Sequence, residues 1–204
     1  LVAPRTATRR LLIWLLFSVV FFAQLGLGLL GLDRFLMTGA LHVPVPAVIA
    51  GGPVFRGGGL FMPILFLATI AFVGPAWCSH LCYLGAWDNA AAVTLPRARK
   101  TPRWLPHLRW AFLALVAGGA LALRLAGVPG AVAACCGVGF GFVGVAWMAT
   151  WSRRRGVMTH CVGYCPIGAL ATSLGKLSPF RLEIGEGCTE CRLCSLVCRY
   201  RALE

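Results

Sequence analysis

Four apolar stretches, each long enough to cross a lipid bilayer, constrain this chain more than any other feature it carries. Leu11–Leu32 holds 22 residues, Gly59–Trp77 and Trp110–Val128 hold 19 each, and Ala131–Trp151 holds 21. A spanning helix needs roughly 17–25 residues. Hydrocarbon offers the backbone no hydrogen-bond partner but itself, so each run is expected to be a helix. Val128-Pro129-Gly130 is turn chemistry and joins the last two runs as a helical hairpin. Charged residues make up 12% of the chain and hydrophobic ones 59%. Soluble proteins carry about 25% charged residues, so a soluble globular domain and a disordered chain are both excluded. The expected fold is an all-α integral membrane protein of four transmembrane helices, two helical hairpins, followed by a small cytoplasmic tail. A basic segment before an apolar run also describes a secretory signal. Here the run of 22 residues exceeds a signal core and no small-x-small site follows, so the first span is expected to be retained.

The formal net charge is +13. In a soluble chain that excess would suggest nucleic acid; here its distribution explains it. With the N-terminus inside, sixteen of the nineteen Lys and Arg fall on the inner side: Arg5, Arg9 and Arg10, then Arg97 to Arg109, then Arg153 onward. Arg34, Arg56 and Arg124 are left outside. Cytoplasmic loops carry such an excess. The chain is therefore expected in a bacterial inner (cytoplasmic) membrane, multi-pass, with both termini cytoplasmic. Membrane lipid is its first partner and nucleic acid is not one. Arg124 is expected to snorkel to the outer headgroups.

Eight of the ten cysteines map to the inner side, where the reducing cytoplasm disfavours structural disulfides. The tail, residues 176–204, reads Cys188-Thr-Glu-Cys191-Arg-Leu-Cys194-Ser-Leu-Val-Cys198, the C-x2-C-x2-C-x3-C run of bacterial ferredoxins. Thiolates at three-residue intervals wrap one loop around a 4Fe-4S cluster, whereas zinc takes paired knuckles at longer separation. Arg199 stands where ferredoxins have Pro, and no second complete run is present. Missing ligands then come from beyond this sequence or from elsewhere within it. Elsewhere, Cys78-Ser-His-Leu-Cys82-Tyr-Leu-Gly-Ala and Cys161-Val-Gly-Tyr-Cys165-Pro-Ile-Gly-Ala are one motif written twice, 83 residues apart. Each copy follows an outward-then-inward pair of spans. Residues 1–175 are thus expected to form a membrane domain of two hairpin modules, each ending in a cysteine pair. Both copies are expected to open a short helix, with Pro166 at a first helical position and Gly175 as a stop. A helix N-terminus stabilises thiolate. Eight thiols suffice for two clusters. Cys188, Cys191 and Cys194, completed by Cys165 or Cys198, are expected to hold one; Cys78, Cys82, Cys161 and Cys165 the other.

Several residues admit two readings. His80 and His160 beside the motifs are cluster ligands, proton acceptors for a quinol, or polar residues at the membrane surface. His42 in the outer loop faces an outer quinone site or nothing. Asp88, the one acid near the first motif, accepts a proton or pairs with a loop arginine. Cys135 and Cys136, among Ala and Gly at lipid depth, are packing residues. Gly118-Gly119 and the Gly137 to Gly141 run permit close helix packing. No phosphate-binding loop, nucleophile triad or nucleotide fingerprint is present.

The combination of four spans, Cys78-x3-Cys82, Cys161-x3-Cys165-Pro166 and the Cys188 to Cys198 run resembles the NapH/MauN-type ferredoxin-like membrane proteins. The wider group includes the membrane halves of the nitrous-oxide reductase regulator and of cytochrome oxidase accessory proteins. The resemblance covers nearly the whole chain. In that family the motif is C-x3-C-P twice, whereas Tyr83 replaces the first Pro here, and members usually carry two ferredoxin runs. The resemblance implies quinol oxidation, the quinone pool as electron source, and delivery to a partner redox protein or respiratory subunit. The expected function is an electron-transfer component of a quinol dehydrogenase system, not a stand-alone enzyme. A metal-centre assembly or metal-reducing accessory factor, and a redox-sensing regulator, are the alternatives.

Overall fold

The computed structural model describes residues 3–35, 43–74, 76–180, 184–191, 194 and 198–200; His42, Arg181, Arg192 and Arg201 lie outside them. Every regular element among the described residues is helical: α1 (Ala3–Leu29), α2 (Pro46–Arg56), α3 (Phe61–Val73), α4 (Tyr83–Val93), α5 (Leu105–Leu125), α6 (Gly130–Trp147), α7 (Arg153–Arg155) and α8 (Pro166–Leu174). Three segments are long and apolar enough to cross a membrane: Ala7–Leu29, Leu105–Leu125 and Gly130–Arg155, which joins α6 to α7 through a wide turn. Their outward faces are apolar. On α1, Leu12, Ile13, Leu16 and Val19 are all more than half exposed. Its buried side chains are Trp14 and Ser18, one turn apart, and α1 lays that narrow stripe along α4. An exposed apolar surface on that scale needs lipid, not water, around it.

The second expected span is shorter than its apolar run. α3 has 13 residues, which rise about 20 Å, less than the roughly 30 Å of hydrocarbon. It stops at Gly74, whose φ is +58, a conformation that favours glycine. A Cβ there would stand 2.5 Å from the Phe180 carbonyl oxygen, so the segment that follows Leu174, around Ser178 and Phe180, closes over the helix end.

α2 was not expected from the sequence. Val45 fits over Gly141, Val48 over Gly137, and Phe55 reaches Gly130. α2 therefore runs antiparallel to the first half of α6, from mid-depth toward the end opposite the arginine-rich one. Residues 43–45, which lead into α2, are non-helical, and Val45 sits at the level of Gly141. Non-helical backbone at such depth persists only inside protein. Here Tyr83 covers it, donating its Oη proton to the Pro44 carbonyl at 2.8 Å and stacking on Phe21. Tyr83 thus has a structural use that a proline could not supply. Arg124 is exposed, and its guanidinium donates to the Val54 carbonyl at 3.3 Å, at the negative end of the α2 dipole.

The repeat therefore extends beyond its motif, but with different partners. In the first half α2, a left-handed Gly57 (φ +69), α3, a π-helical turn and α4 follow in order. In the second half α5, Gly127 (φ +64), α6 prolonged through Met148–Ser152 into α7, a π-helical turn and α8 follow a parallel order. The outward partner of α3 is α2, not the first span. α1 is an addition, packed on α4.

Candidate metal centre

The two cysteine motifs fold identically. Trp77–Leu81 and His160–Tyr164 are each a five-residue π-helical turn. Each closes on its second cysteine, with Cys82 N–H donating to the Trp77 carbonyl at 2.9 Å and Cys165 N–H to the His160 carbonyl at 2.8 Å. Cys82 (φ −71, ψ 113) and Cys165 (φ −70, ψ 115) then stand in the N-cap positions of α4 and α8. Neither has a side-chain oxygen to cap its helix, and neither makes a side-chain cap hydrogen bond. The backbone N–H groups of Leu84 and Gly85 beside Cys82, and of Ile167 and Gly168 beside Cys165, oppose the rise that burial gives those thiols.

The Gly-Ala of each motif has a steric reason. A Cβ at Gly85 would lie 2.8 Å from the Cys78 carbonyl oxygen, and one at Gly168 would lie 2.9 Å from that of Cys161. The first turn of each helix therefore rests directly on the backbone of the first cysteine.

Long-range contacts join the motifs. Trp14 of α1 donates its indole N–H to the Cys82 carbonyl at 2.9 Å. Asp88 of α4 accepts the Cys161 N–H through Oδ2 at 2.9 Å, so the lone acid clamps one motif to the other and pairs with no loop arginine among the described residues. Cys161 and Cys165 are buried, and Cys78 and Cys82 half-buried. Every pair among these four thiols lies within electrostatic range of each other. Burial, then repulsion from the other thiols, pushes Cys78 well up; burial, then the Asp88 carboxylate, then the other thiols do the same to Cys161. Burial also carries Cys165 up to about 12. Arg109 opposes the rise at Cys78. The thiols are thus protonated when the site holds no metal, and binding one releases protons.

The donor set suits a cluster better than a single ion. A tetrahedral zinc at about 2.3 Å from each sulfur draws its ligands close together. No three of the four thiols lie within 4.8 Å of one another; among the described residues only Asp88, His160 and Cys161 form such a group. A 4Fe-4S cluster takes four cysteines spaced around it, and four thiols within electrostatic range of one another, two of them at helix N-termini, fit it.

The structure separates the two histidines that the sequence left equal. His80 is exposed, with Nδ1 on the Ser79 hydroxyl at 2.8 Å. His160 is buried, held to about 3 by that burial, and its Nδ1 has no hydrogen-bond partner among the described residues. It lies beside Asp88, which burial raises to about 6 against the opposing hydrogen bonds of Ser152 and the Cys161 N–H.

The tail thiols sit apart. Cys188, Cys191 and Cys194 are exposed and Cys198 is half-buried. Glu190, between the first two, takes the left-handed φ of +50, and Cys198 N–H returns to the Cys194 carbonyl at 3.0 Å. Beyond Cys198 the chain docks again, with the Arg199 carbonyl accepting the Met158 N–H at 3.0 Å. Cys135 and Cys136 are exposed on α6. Sequence reasoning missed Trp14, Arg109, Tyr164 and Tyr200 around the thiols. Only the nearness of Tyr164 and Tyr200 to cysteines in the chain offered a signal.

No curated protein and no solved structure matches this chain. Residues 39–102 match the family model described as a 4Fe-4S binding domain. The matched segment holds Cys78 and Cys82 and runs from before α2 to past α4. It supports an iron–sulfur, ferredoxin-type chain with a 4Fe-4S cluster and an electron-transfer role.

Proposed function

We propose that this chain is a membrane-bound electron carrier that takes electrons from quinol and passes them to a partner redox protein. The observation that carries the reading is the meeting of Cys78, Cys82, Cys161 and Cys165, from two copies of one motif, inside a helical scaffold with a lipid-facing surface. A bound 4Fe-4S cluster supplies one-electron storage. The chain's own residues hold, insulate and connect it. Cys82 and Cys165 present thiolate at helix N-termini, where the dipole and free N–H groups stabilise negative charge. Asp88 and Trp14 fix the two motifs against each other. Cys188, Cys191, Cys194 and Cys198 serve as a second centre, and Cys198 lies two residues from Tyr200, which packs against the core around Cys161. Quinol as donor is supported by an apolar cavity of about 290 Å³ between α2, α5 and α6. Phe140 lines it and stacks on Tyr164 at 4.6 Å, the residue before Cys165. Each quinol releases two electrons and two protons, so two one-electron centres empty it in a single pass. The arginine distribution supports an inner-membrane location with both termini cytoplasmic.

The test is iron and acid-labile sulfide analysis of the anaerobically purified chain, with EPR before and after a quinol analogue is added. A reduced-cluster signal on adding quinol supports the reading. A colourless preparation without sulfide ends it. Reduction by dithionite but not by quinol removes the donor.

A further inference from the structure

Arg109 and Tyr200 lie beside the thiol site, Arg109 near Cys78 and Tyr200 near Cys78, Cys161 and Cys165, and neither belongs to a motif. Arg109, in the first turns of α5, donates from Nη1 to Tyr200 Oη at 3.3 Å. Its Nε is buried with no hydrogen-bond partner among the described residues. Tyr200 packs against the core of Trp14, Ala86, Met158 and Cys161. It lies within electrostatic range of Cys78, Cys161 and Cys165, and Arg109 within range of Cys78. Arg199 anchors this segment, donating to the Gly156 carbonyl at 3.1 Å and the Pro96 carbonyl at 3.2 Å. The tail is thereby pinned to the thiol site just past its last cysteine.

The geometry points to one role: Arg109, held in place by Tyr200, sets the reduction potential of the cluster on Cys78, Cys82, Cys161 and Cys165, so that docking of the tail makes that cluster easier to reduce. This rests on the cluster proposed above. Reduction adds one negative charge to an already anionic group. A cation fixed beside it, screened from water, stabilises the added charge. The other charged group at the site, Asp88, is bound to the Cys161 N–H.

The experiment is an EPR-monitored redox titration of the full chain with its clusters bound, comparing wild type with Arg109→Gln, Arg109→Lys and Tyr200→Phe. At a fixed potential, Arg109→Gln should shift the oxidised-to-reduced ratio at least ten-fold toward oxidised, which is 59 mV for one electron. Arg109→Lys should recover most of the shift, Tyr200→Phe should fall between, and the tail centre should not move. Arg109→Gln titrating with wild type overturns the inference, as does Arg109→Lys shifting equally far. If Arg109→Gln fails to load, Tyr200→Phe decides: a shift of three-fold or more supports the role, and a midpoint equal to wild type refutes it. Absence of the membrane-domain cluster in wild type would show first, in iron content, and would sink the cluster reading instead.

Discussion

Replacing Gly168 by alanine tests whether the seat beneath Cys161 holds the metal geometry. The new Cβ would stand 2.9 Å from the Cys161 carbonyl oxygen and 3.5 Å from the Cys165 Cβ. Carbon–oxygen contacts settle at about 3.3–3.6 Å, so the carbonyl must retreat by about 0.5 Å. It belongs to Cys161, a ligand of the proposed cluster, and metal–ligand distances hold to about ±0.2 Å. The obstructing atom is backbone, so no rotamer change relieves it. Overpacking costs about 1–3 kcal/mol, here toward the upper end, and the better helix propensity of alanine offsets about 1 kcal/mol. The net, about 1–2 kcal/mol, corresponds to a factor of roughly 5–30. The assay is iron retained per chain after a fixed exposure to chelator. Gly118→Ala is the control, because nothing lies within 4 Å of its Cβ position. Gly85→Ala should behave like Gly168→Ala, since its Cβ meets the Cys78 carbonyl at 2.8 Å and the Trp14 ring at 2.7 Å. Wild-type iron retention in Gly168→Ala, or an equal loss in Gly118→Ala, would refute the steric reasoning.

Asp88→Ala should leave the Cys161 N–H buried without an acceptor, costing about 1–3 kcal/mol; Asp88→Asn keeps an oxygen there and should recover most of the iron retention. Equal damage from both variants would mean that the charge matters and the acceptor does not. In metal-free protein at pH 8, iodoacetamide should reach Cys188, Cys191 and Cys194 before Cys161 and Cys165, by about ten-fold or more, as read by peptide mass mapping. The tail thiols are exposed, whereas burial holds Cys165 near 12 and raises Cys161, and only thiolate reacts. Equal labelling rates would contradict the buried placement.

Much of the metal centre was legible because it is written locally. A cysteine pair at four-residue spacing followed by Gly-Ala encodes one π-helical turn, one N-cap and one tight helix start, all within nine residues. Two copies of that text fold to the same dihedrals. The neighbours of the motif were not legible, because they are set by packing between distant segments. His80 and His160 are equivalent in the sequence, yet one is exposed and the other buried beside Asp88. Arg109 ends a run of basic residues and reads as one more positive-inside charge; only the docked Tyr200, 91 positions away, distinguishes it. Gly137 and Gly141 announced close packing but not the helix that uses it.

Composition and periodicity by themselves determined that this chain is helical, with apolar helices long enough to cross a membrane, and put eight of its ten cysteines in the arginine-rich segments. Both follow from short-range rules: backbone satisfaction in hydrocarbon, charge asymmetry, and ligand spacing within a turn. The tertiary structure alone decided that α2 packs between α5 and α6 and displaces α1 as the partner of α3. It also decided that the two cysteine pairs share one site, and that Asp88, Arg109 and Tyr200 close around it. Those outcomes depend on which apolar faces bury one another across 70 or more residues of chain, and no local pattern carries that choice.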